Sequence, residues 1–290
     1  MIRSATVIDI PEIKKIWDQS FDDPLNYVDF LFDKVLEPND TLVYEEDGEV
    51  VSMAMSIYCS FRYHDESVPC VYIYGCATRP DKGGRGYMTE LISCVETNAM
   101  AKGCQMSVLV PGNRSLFRFY ANRGYNSDFS IRRVRLRSGM LETVPRPEVP
   151  IEYDRIFSGD FYEIREKALY EIPHIEWKAD QLDFMTADAL AYQDHIASYS
   201  GEAGKAYAIY SLKSRVMFIR EILGTSEESA TMLLAGLVDE QNPRKVSMDL
   251  PLGGGILPFE GSSRVYGMSK SFKTAKKISS LEPYMNLMLD

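Results

Sequence analysis

The sequence predicts a mixed fold of the α/β class, an α+β domain built on a mixed sheet, and two features carry the prediction. Asp47-Gly48 joins two β-rich runs, 41–46 and 50–57, and this dipeptide is a strong hairpin signal. Further along, an apolar strand at 71–77 leads through a glycine-rich turn into an amphipathic helix, and a second strand follows at 105–110. Hairpins make antiparallel neighbours and a strand-helix-strand unit makes parallel ones, so the sheet should contain both.

The N-terminal stretch predicts a short strand and two helices ahead of the sheet. Apolar residues recur at three- and four-residue spacing from Ile10 to Phe21, and Pro11 is suited to a first helical turn. The stretch 21–32 then passes from a loop into a second helix. The order is therefore helix, helix and then strands.

Two further strands complete the predicted sheet. The run 56–63 continues the second hairpin strand, and 64–67 turns the chain into the strand at 68–77. The run 131–137 partly alternates four arginines with apolar residues, which fits a strand that pairs back after the helix near Tyr120. We interpret its arginines as a solvated face in preference to a nucleic-acid patch.

Composition excludes several classes of partner. The chain has 32 Lys and Arg against 42 Asp and Glu, and its net charge of −10 disfavours nucleic acid and suits a cationic small molecule. Asp9 and Glu12 interrupt the N-terminal apolar residues, and no apolar run approaches the roughly 18 residues of a membrane span, so we expect a cytoplasmic protein with no membrane contact. The five cysteines show no C-x-x-C pair and there are only three histidines, so we expect reduced thiols and no metal.

The glycine-rich turn predicts a site for a phosphorylated ligand. Gly83, Gly84 and Gly86 precede a helix, where free backbone N–H groups and the helix dipole favour an anion. The turn is not G-x-x-x-x-G-K-[ST], because no Lys-Ser or Lys-Thr pair follows, and it is not G-x-G-x-x-G. The alternative is an ordinary strand-to-helix turn with three incidental glycines.

A second motif follows at the expected separation. After the strand at 105–110, Asn113 is placed to cap a helix that carries Tyr120 and ends near Gly124-Tyr125. The pair of motifs resembles the GNAT acetyltransferase superfamily, whose loop reads [Q/R]-x-x-G-x-[G/A] and whose next helix reads N-x-x-A/S-x-x-x-Y-x-x-x-G-[F/Y]. Gly83 departs from the usual Gln or Arg, with Lys82 and Arg85 nearby as substitutes.

The resemblance implies acetyl-CoA, or another acyl-CoA, as co-substrate and assigns roles to individual residues. Backbone groups would hold the cofactor at Cys76, Ala77, Thr78, Gly83, Gly84, Arg85, Gly86, Tyr87, Met88 and Asn113. Tyr120 would protonate the leaving thiolate, since a phenol can serve as a general acid; the alternative is a core aromatic. Cys76 as a covalent nucleophile is disfavoured, because no histidine is near it in sequence and the family transfers directly. Asp22, Asp23 and Tyr27 would face a cationic acceptor, although solvated carboxylates at a helix cap are the simpler interpretation.

The second half of the chain predicts a smaller, degenerate GNAT-like domain. Pro145, Pro147 and Pro150 indicate a linker, so we predict an acetyltransferase domain at 1–140 and a second domain at 151–290. Its predicted elements are helices at 160–170 and 186–198, strands at 206–211, 216–222 and 245–250, and a helix that opens on the capping box Thr225-x-x-Glu228. The strand-helix turn has no room for a pyrophosphate, and Gly253-Gly254-Gly255 is a loop. An unrelated α+β domain is the alternative.

The tandem arrangement resembles the enhanced-intracellular-survival acetyltransferases and their relatives. That resemblance implies that the chain's terminal carboxylate, here Asp290, serves as the base for the amine; a frayed tail is the alternative. We predict an N-acetyltransferase that transfers an acetyl group directly to a primary amine of a small, cationic substrate. A non-catalytic CoA-binding regulatory protein is the alternative, and aminoacyl transfer from tRNA is disfavoured by the acidic balance.

Overall fold

A computed structural model describes residues 1–23, 27–155, 158–253, 256–272 and 281–286. The helices are α1 (Ile10–Asp18), α2 (Tyr27–Lys34), α3 (Tyr87–Ala101), α4 (Arg114–Ala121), α5 (Ser158–Ala168), α6 (Ala179–Ala191) and α7 (Glu227–Gln241). The strands are β1 (Ile2–Ser4), β2 (Thr41–Glu46), β3 (Glu49–Tyr63), β4 (Glu66–Thr78), β5 (Met106–Leu109), β6 (Asn126–Arg137), β7 (Glu152–Tyr153), β8 (His174–Glu176), β9 (His195–Gly201), β10 (Gly204–Lys213), β11 (Val216–Gly224), β12 (Lys245–Pro251) and β13 (Ser262–Ser271). No helix among these residues is long and apolar enough to cross a membrane.

The first of two compact units contains residues 1–60 and 68–126 together with the described residues 268–272. Its strands run in the order β1, β2, β3, β4, β5, β13. The predicted hairpin is present, with Leu42 opposite Ala54 in an antiparallel register. The strand-helix-strand unit is also present, because β4 and β5 pair in parallel with α3 between them. The predicted mixed sheet is therefore confirmed.

The core of this unit forms where α3 lies on the sheet. Leu91, Ile92, Val95 and Ala99 recur at helical spacing, and each is at most 2% exposed. They share one cluster with Val71 and Ile73 of β4 and with Leu42 and Ala54 of the hairpin. Burying one such aliphatic side chain contributes about 1.5–3 kcal/mol, so this face anchors the turn that precedes the helix.

Strand β13 was absent from the sequence prediction. Its last four residues pair antiparallel with β5, from Met268 opposite Leu109 to Ser271 opposite Met106. Lys270 Nζ donates to Glu96 Oε2 of α3 at 2.6 Å, and Glu96 also accepts from the Tyr125 hydroxyl at 2.9 Å. A strand contributed from far along the chain thus completes the first unit and satisfies a buried carboxylate.

The second unit contains residues 61–67 and 127–267 and the chain end. Its strands run in the order β6, β12, β11, β10, β9, β7. β11 and β12 pair in parallel with α7 between them, which repeats the order β4, α3, β5 of the first unit. At the turn into α7, a Cβ on Gly224 would lie 2.6 Å from Ser229 Oγ and 2.8 Å from the Ala230 nitrogen. That turn has no open space for a phosphate, as the sequence predicts.

Two predicted local features of this unit are wrong. The helix predicted at 186–198 ends with α6 at Ala191, and β9 begins at His195, because Gln193 turns the chain with φ +60°. The cap of α7 is Ser226, whose hydroxyl accepts from the Ser229 N–H at 3.0 Å. Thr225 is not the cap, since its hydroxyl accepts from the Lys205 N–H instead. Gly254 and Gly255 lie outside the described residues.

Candidate active site

Strands β4 and β5 separate at the predicted cofactor position. Their parallel register joins Cys70–Tyr72 to Met106–Val108, and β4 then runs on to Thr78. Past this paired segment, the backbone of β4 has an edge that β5 does not pair with in the described residues. Cys76, Ala77 and Thr78 lie on that stretch. The Ala77 carbonyl accepts from Ser52 Oγ at 2.9 Å, on the side of β3.

Gly75 breaks the regular strand just before Cys76. Its φ is +54°, a left-handed conformation that glycine adopts without strain. A Cβ at this position would lie 2.7 Å from the Trp17 ring and 2.9 Å from Met55 Sδ. Irregularities of this kind re-aim neighbouring side chains and are frequent beside active sites. Glycine is therefore required here both by backbone conformation and by close approach.

The predicted phosphate turn has the backbone of an anion site. Gly84 and Gly86 have φ of +77° and +91°, and Gly86 is the N-cap of α3. The first α3 bonds run from the N–H groups of Thr89 and Glu90 to the Gly86 carbonyl, so the N–H groups of Tyr87 and Met88 have no acceptor in the described preceding turn. No described atom lies within 4 Å of a Cβ built on Gly84 or Gly86. Open space and free donors meet at the positive end of the helix.

The cations that flank the turn are held by a carboxylate that the sequence analysis did not identify. Glu46, at the end of β2, accepts from Lys82 Nζ at 2.5 Å, from Arg85 at 3.3 Å and from the Tyr87 hydroxyl. The Lys82 hydrogen bond, followed by that of Tyr87, lowers the pKa of Glu46 to about 2, so the group is ionised at neutral pH. Lys82 and Arg85 thus lie beside the turn, as expected if they replace the Gln or Arg that is usual at the position of Gly83. Glu46, however, offsets their positive charge.

A cavity of about 220 Å³ opens at the turn. Its lining contains these predicted residues: Thr78, Gly84, Arg85, Gly86, Tyr87 and Met88. Lys82, Thr89, Phe119 and Arg123 complete it. The Arg123 guanidinium stacks on the Phe119 ring, with 3.4 Å between Cζ and the ring centroid, and donates to the Phe119 carbonyl at 2.6 Å and to the Thr89 hydroxyl. Arg123 precedes the Gly-Tyr pair of the second motif, and that adjacency is the only sequence signal for it.

We expect Arg123→Ala to raise the Kd for acetyl-CoA by about 10- to 100-fold, the effect of losing one charge-assisted hydrogen bond to a phosphate. Arg123 is oriented towards the cavity by its stacking on Phe119, and no carboxylate of the described residues pairs with it. Calorimetry measures the change. Arg118→Ala is the matched control, since Arg118 is exposed on α4, the helix just before Arg123, and lies outside the cavity. Equal affinities for the two variants would contradict this role.

Tyr120 lies next to Cys76, and their side chains hydrogen-bond. Tyr120 is 6% exposed, and its ring belongs to the core cluster under α3. Burial, followed by the adjacent Cys76 thiol, raises the pKa of Tyr120 well above its ordinary value, so the phenol stays protonated. Burial likewise raises the pKa of the Cys76 thiol to about 12, against a smaller lowering by the hydrogen bond to Tyr120. The two groups form a protonated, desolvated pair beside the open edge of β4.

Cys76 is expected to be chemically inert, which disfavours an acyl-enzyme. A thiol with a pKa of about 12 is ionised to only about one part in 10⁴ to 10⁵ at neutral pH, and the thiolate is the nucleophile. We expect Cys76→Ala to retain turnover within about threefold, and iodoacetamide at pH 7.5 to label the half-buried Cys94 faster than Cys76, as mapped by mass spectrometry. Loss of all turnover together with fast labelling of Cys76 would restore the covalent mechanism.

The structure gives Asn113 and Tyr125 local partners. Asn113 Oδ1 caps α4 by accepting from the N–H groups of Ser115 and Leu116, at 3.0 and 3.2 Å. The Tyr125 hydroxyl bonds Ser107 at 2.7 Å in the buried network with Glu96. The cap predicted at Asn113 is therefore confirmed, while its contact with a cofactor stays a prediction.

The predicted acceptor wall contains a cluster of aromatic rings. Trp17 packs against Phe21, Tyr27 and Tyr74, with ring centroids 4.4, 5.5 and 5.5 Å away. The hydroxyls of Tyr27 and Tyr74 are 2.9 Å apart, and Trp17 Nε1 donates to Asp23 Oδ2 at 2.8 Å. Asp23 is therefore more than a solvated cap, whereas Asp22 is exposed. Asp290, the predicted base, lies outside the described residues.

Comparison with known proteins gives the class of this domain. Residues 1–127 match the family model of the acetyltransferase (GNAT) domain. No curated protein matches in sequence. Among solved structures, a protein of unknown function from Enterococcus faecalis V583, described as a probable N-acyltransferase, is 15% identical, with 93% of this chain and 72% of that chain covered and a TM-score of 0.74.

Two further structures extend the likeness. A GCN5-related N-acetyltransferase from Anabaena variabilis is 16% identical, with 98% of this chain and 75% of that chain covered and a TM-score of 0.75. Eis1 from Mycobacterium abscessus is 14% identical, with 93% and 73% covered and a TM-score of 0.70. At these identities the structures establish the fold, and the family match is confined to residues 1–127.

The predicted class is therefore confirmed for the matched part of the chain: residues 1–127 match a GNAT acetyltransferase domain, a domain type that uses acetyl-CoA, and the solved structures share the fold over most of the chain. The expected likeness to tandem acetyltransferases of the enhanced-intracellular-survival type is confirmed by the shared fold with Eis1.

Proposed function

We propose that the protein transfers an acetyl group from acetyl-CoA directly to a primary amine of a small, cationic substrate. The observation that carries the proposal is the presence of two features in one unit. One is a turn with free N–H donors at Tyr87 and Met88, and the other is a protonated phenol, Tyr120, beside the open edge of β4. The first suits a pyrophosphate and the second suits a leaving thiolate.

The residues present fit acetyl-CoA. The N–H groups at Tyr87 and Met88 and the open space over Gly84 and Gly86 would hold the pyrophosphate, and the unpaired edge at Cys76 to Thr78 would hold the pantetheine arm. Acetyl-CoA supplies an acetyl thioester, the electrophile. The remaining predicted contacts are Gly83, Arg85 and Asn113, and we propose them as part of the same site.

The pKa of the Cys76 thiol indicates how strongly this environment disfavours a thiolate. Desolvation raises its pKa to about 12, and a thiolate released at the same place would be similarly destabilised. A proton donor is therefore needed there, and the Tyr120 hydroxyl already hydrogen-bonds sulfur at that position. In the proposed reaction the amine nitrogen bonds the acetyl carbon, the carbon–sulfur bond breaks, and Tyr120 gives its proton to the sulfur.

The acceptor side of the proposal is supported by charge and by one half-buried ring. Tyr74 and Asp23 are both half-buried beside the buried Trp17 and Tyr27 rings, and a ring face together with a carboxylate attracts an ammonium group. The net charge of −10 adds a long-range attraction for cations. An alkyl amine with a pKa near 10 must lose a proton before it attacks, so a base is required.

We propose Asp290 as that base. We also propose residues 1–140 as the catalytic domain and residues 151–290 as the supporting domain. Deleting Leu289 and Asp290 should leave acetyl-CoA affinity unchanged while acceptor-dependent CoA release collapses. Calorimetry and a thiol assay measure the two quantities. Full activity of the truncated protein would place the base elsewhere.

The test of the function is a panel of amines assayed for CoA release. Polyamines, aminoglycosides and amino acids at equal concentration separate cationic from zwitterionic acceptors, and mass spectrometry identifies the acetylated nitrogen. We expect the highest kcat/KM with a cationic primary amine. Tight acetyl-CoA binding without release for any amine would instead favour a non-catalytic CoA-binding protein.

A further inference from the structure

The outer face of three strands in the second unit carries an unusual set of side chains. The register places Arg137 opposite Lys245, Arg135 opposite Ser247 and Arg133 opposite Asp249, and β11 adds Val216 and Phe218 beside Lys245 and Ser247. The alternate residues of the same strands, such as Leu136, Val246 and Met217, are at most 5% exposed. One side of the sheet is thus core and the other side is a basic surface.

This basic surface lies on a parallel strand pair, β11 and β12. Parallel strands usually have both faces covered. Here α7 packs against β10 and β11, while the outer face of β11 and β12 borders a cavity of about 730 Å³. The cavity volume falls within the range of small-molecule sites, roughly 300–1,000 Å³.

The charges on this face are arranged at a cost to stability. Arg137 and Lys245 are directly opposite one another, and like charges in that arrangement destabilise a sheet. Arg135 lies two residues from Arg137 on the same face. None of these three has an acidic partner among the described residues, whereas Arg133 is bound by both oxygens of Asp249, at 2.7 and 2.5 Å, and Arg220 pairs with Asp194 at 3.4 Å. This face therefore concentrates unpaired positive charge, although the chain as a whole has a net charge of −10.

Apolar side chains lie among these cations. Phe218 is 43% exposed in the middle strand and Met140 is 60% exposed at the cavity edge. If this face were only a solvated cationic surface, the exposed ring at its centre would be unexplained. If it were only an apolar docking surface, the unpaired cations would be unexplained. Both features suit one ligand that has an anionic group and an apolar body, since arginine also stacks on planar groups.

We propose that this face is a second binding site, for a small organic anion that combines a carboxylate, sulfonate or phosphate with an apolar or aromatic body. Arg135, Arg137 and Lys245 bind the anionic group, and Phe218 and Met140 contact the body. The site lies in the second unit and is separate in sequence from the acetyl-CoA turn, whose lining residues all lie between Thr78 and Arg123. Ligand binding offsets the repulsion between Arg137 and Lys245.

The experiment uses 8-anilino-1-naphthalenesulfonate, an aromatic anion whose fluorescence rises on binding, with the full-length protein. The test variant is R135Q/R137Q/K245Q. The control is K34Q/K167Q/K213Q, which removes three exposed cations outside the cavity and so makes the same change in net charge. We expect saturable binding to the wild type that acetyl-CoA does not displace, a Kd at least about tenfold higher in the test variant, and an unchanged Kd in the control. Thermal melts of all three proteins check folding.

Phe218→Ser keeps the cations and removes the ring, and it should also weaken binding severalfold. Three results would overturn the proposal. Equal affinity of the test variant and the wild type would show that the three cations do not bind the probe. Displacement of the probe by acetyl-CoA would show that the probe binds at the acetyl-CoA turn of the first unit. A concentration-dependent dimer that the test variant abolishes makes this face an interface between copies of the chain.

Discussion

Gly86→Glu is expected to abolish acetyl-CoA binding, with the Kd rising by at least about 100-fold. The residue caps α3 with φ +91°, which disfavours any side chain, and the space over its Cβ is open towards the phosphate turn. A glutamate side chain would place a negative charge where the free N–H groups and the helix dipole favour an anion, and like charges at an interface cost several kcal/mol. Isothermal titration calorimetry with acetyl-CoA measures the loss.

Two controls separate the charge from the backbone. Gly86→Ala has the same φ penalty without the charge or the bulk, and we expect it to retain most of the affinity. Gly103→Glu puts the same side chain on a glycine with φ +89° and open space just after the C-terminal end of α3. It should match the wild type in affinity. A Gly86→Glu protein that folds and binds acetyl-CoA normally would remove the assignment of the turn.

Tyr120→Phe is expected to lower turnover by about 10- to 1000-fold while acetyl-CoA affinity stays within about twofold. The phenylalanine ring keeps the packing in the core cluster, and only the hydroxyl beside Cys76 is lost. Single-turnover CoA release measures the chemical step. The difference in rate between the variant and the wild type should be smaller with acetyl thioesters of more acidic thiols, because a better leaving group needs less protonation.

Tyr125→Phe is the matched control for Tyr120→Phe. Tyr125 is 3% exposed in the same cluster and also loses a buried hydroxyl that is hydrogen-bonded, to Ser107 and Glu96. It should lower the melting temperature more than Tyr120→Phe does and leave turnover nearly unchanged. If both variants lose turnover in parallel with stability, Tyr120 is a packing residue and the general acid is another group.

Most elements of the first unit could be predicted because their signals are local. The Asp47-Gly48 hairpin, the turn at 83–86 and the α3 face at Leu91, Ile92 and Val95 each depend on residues within a few positions of one another. The prediction at 186–198 was wrong because composition suggested a continuing helix, whereas Gln193 takes a left-handed turn and Tyr199 is buried in a strand. Burial in the tertiary structure overrode the local pattern there.

The anion turn follows from local sequence, since positive φ at Gly84 and Gly86 and the start of a helix are properties of a few consecutive residues. The groups that surround the turn depend instead on long-range packing. Glu46 comes to it from β2, Arg123 follows α4, and Lys270 reaches α3 from a strand that begins at Ser262. The proximity of Tyr120 to Cys76 likewise depends on how α4 packs on β4. These contacts are fixed by burial and charge pairing between segments distant in the chain, and no local spacing encodes them.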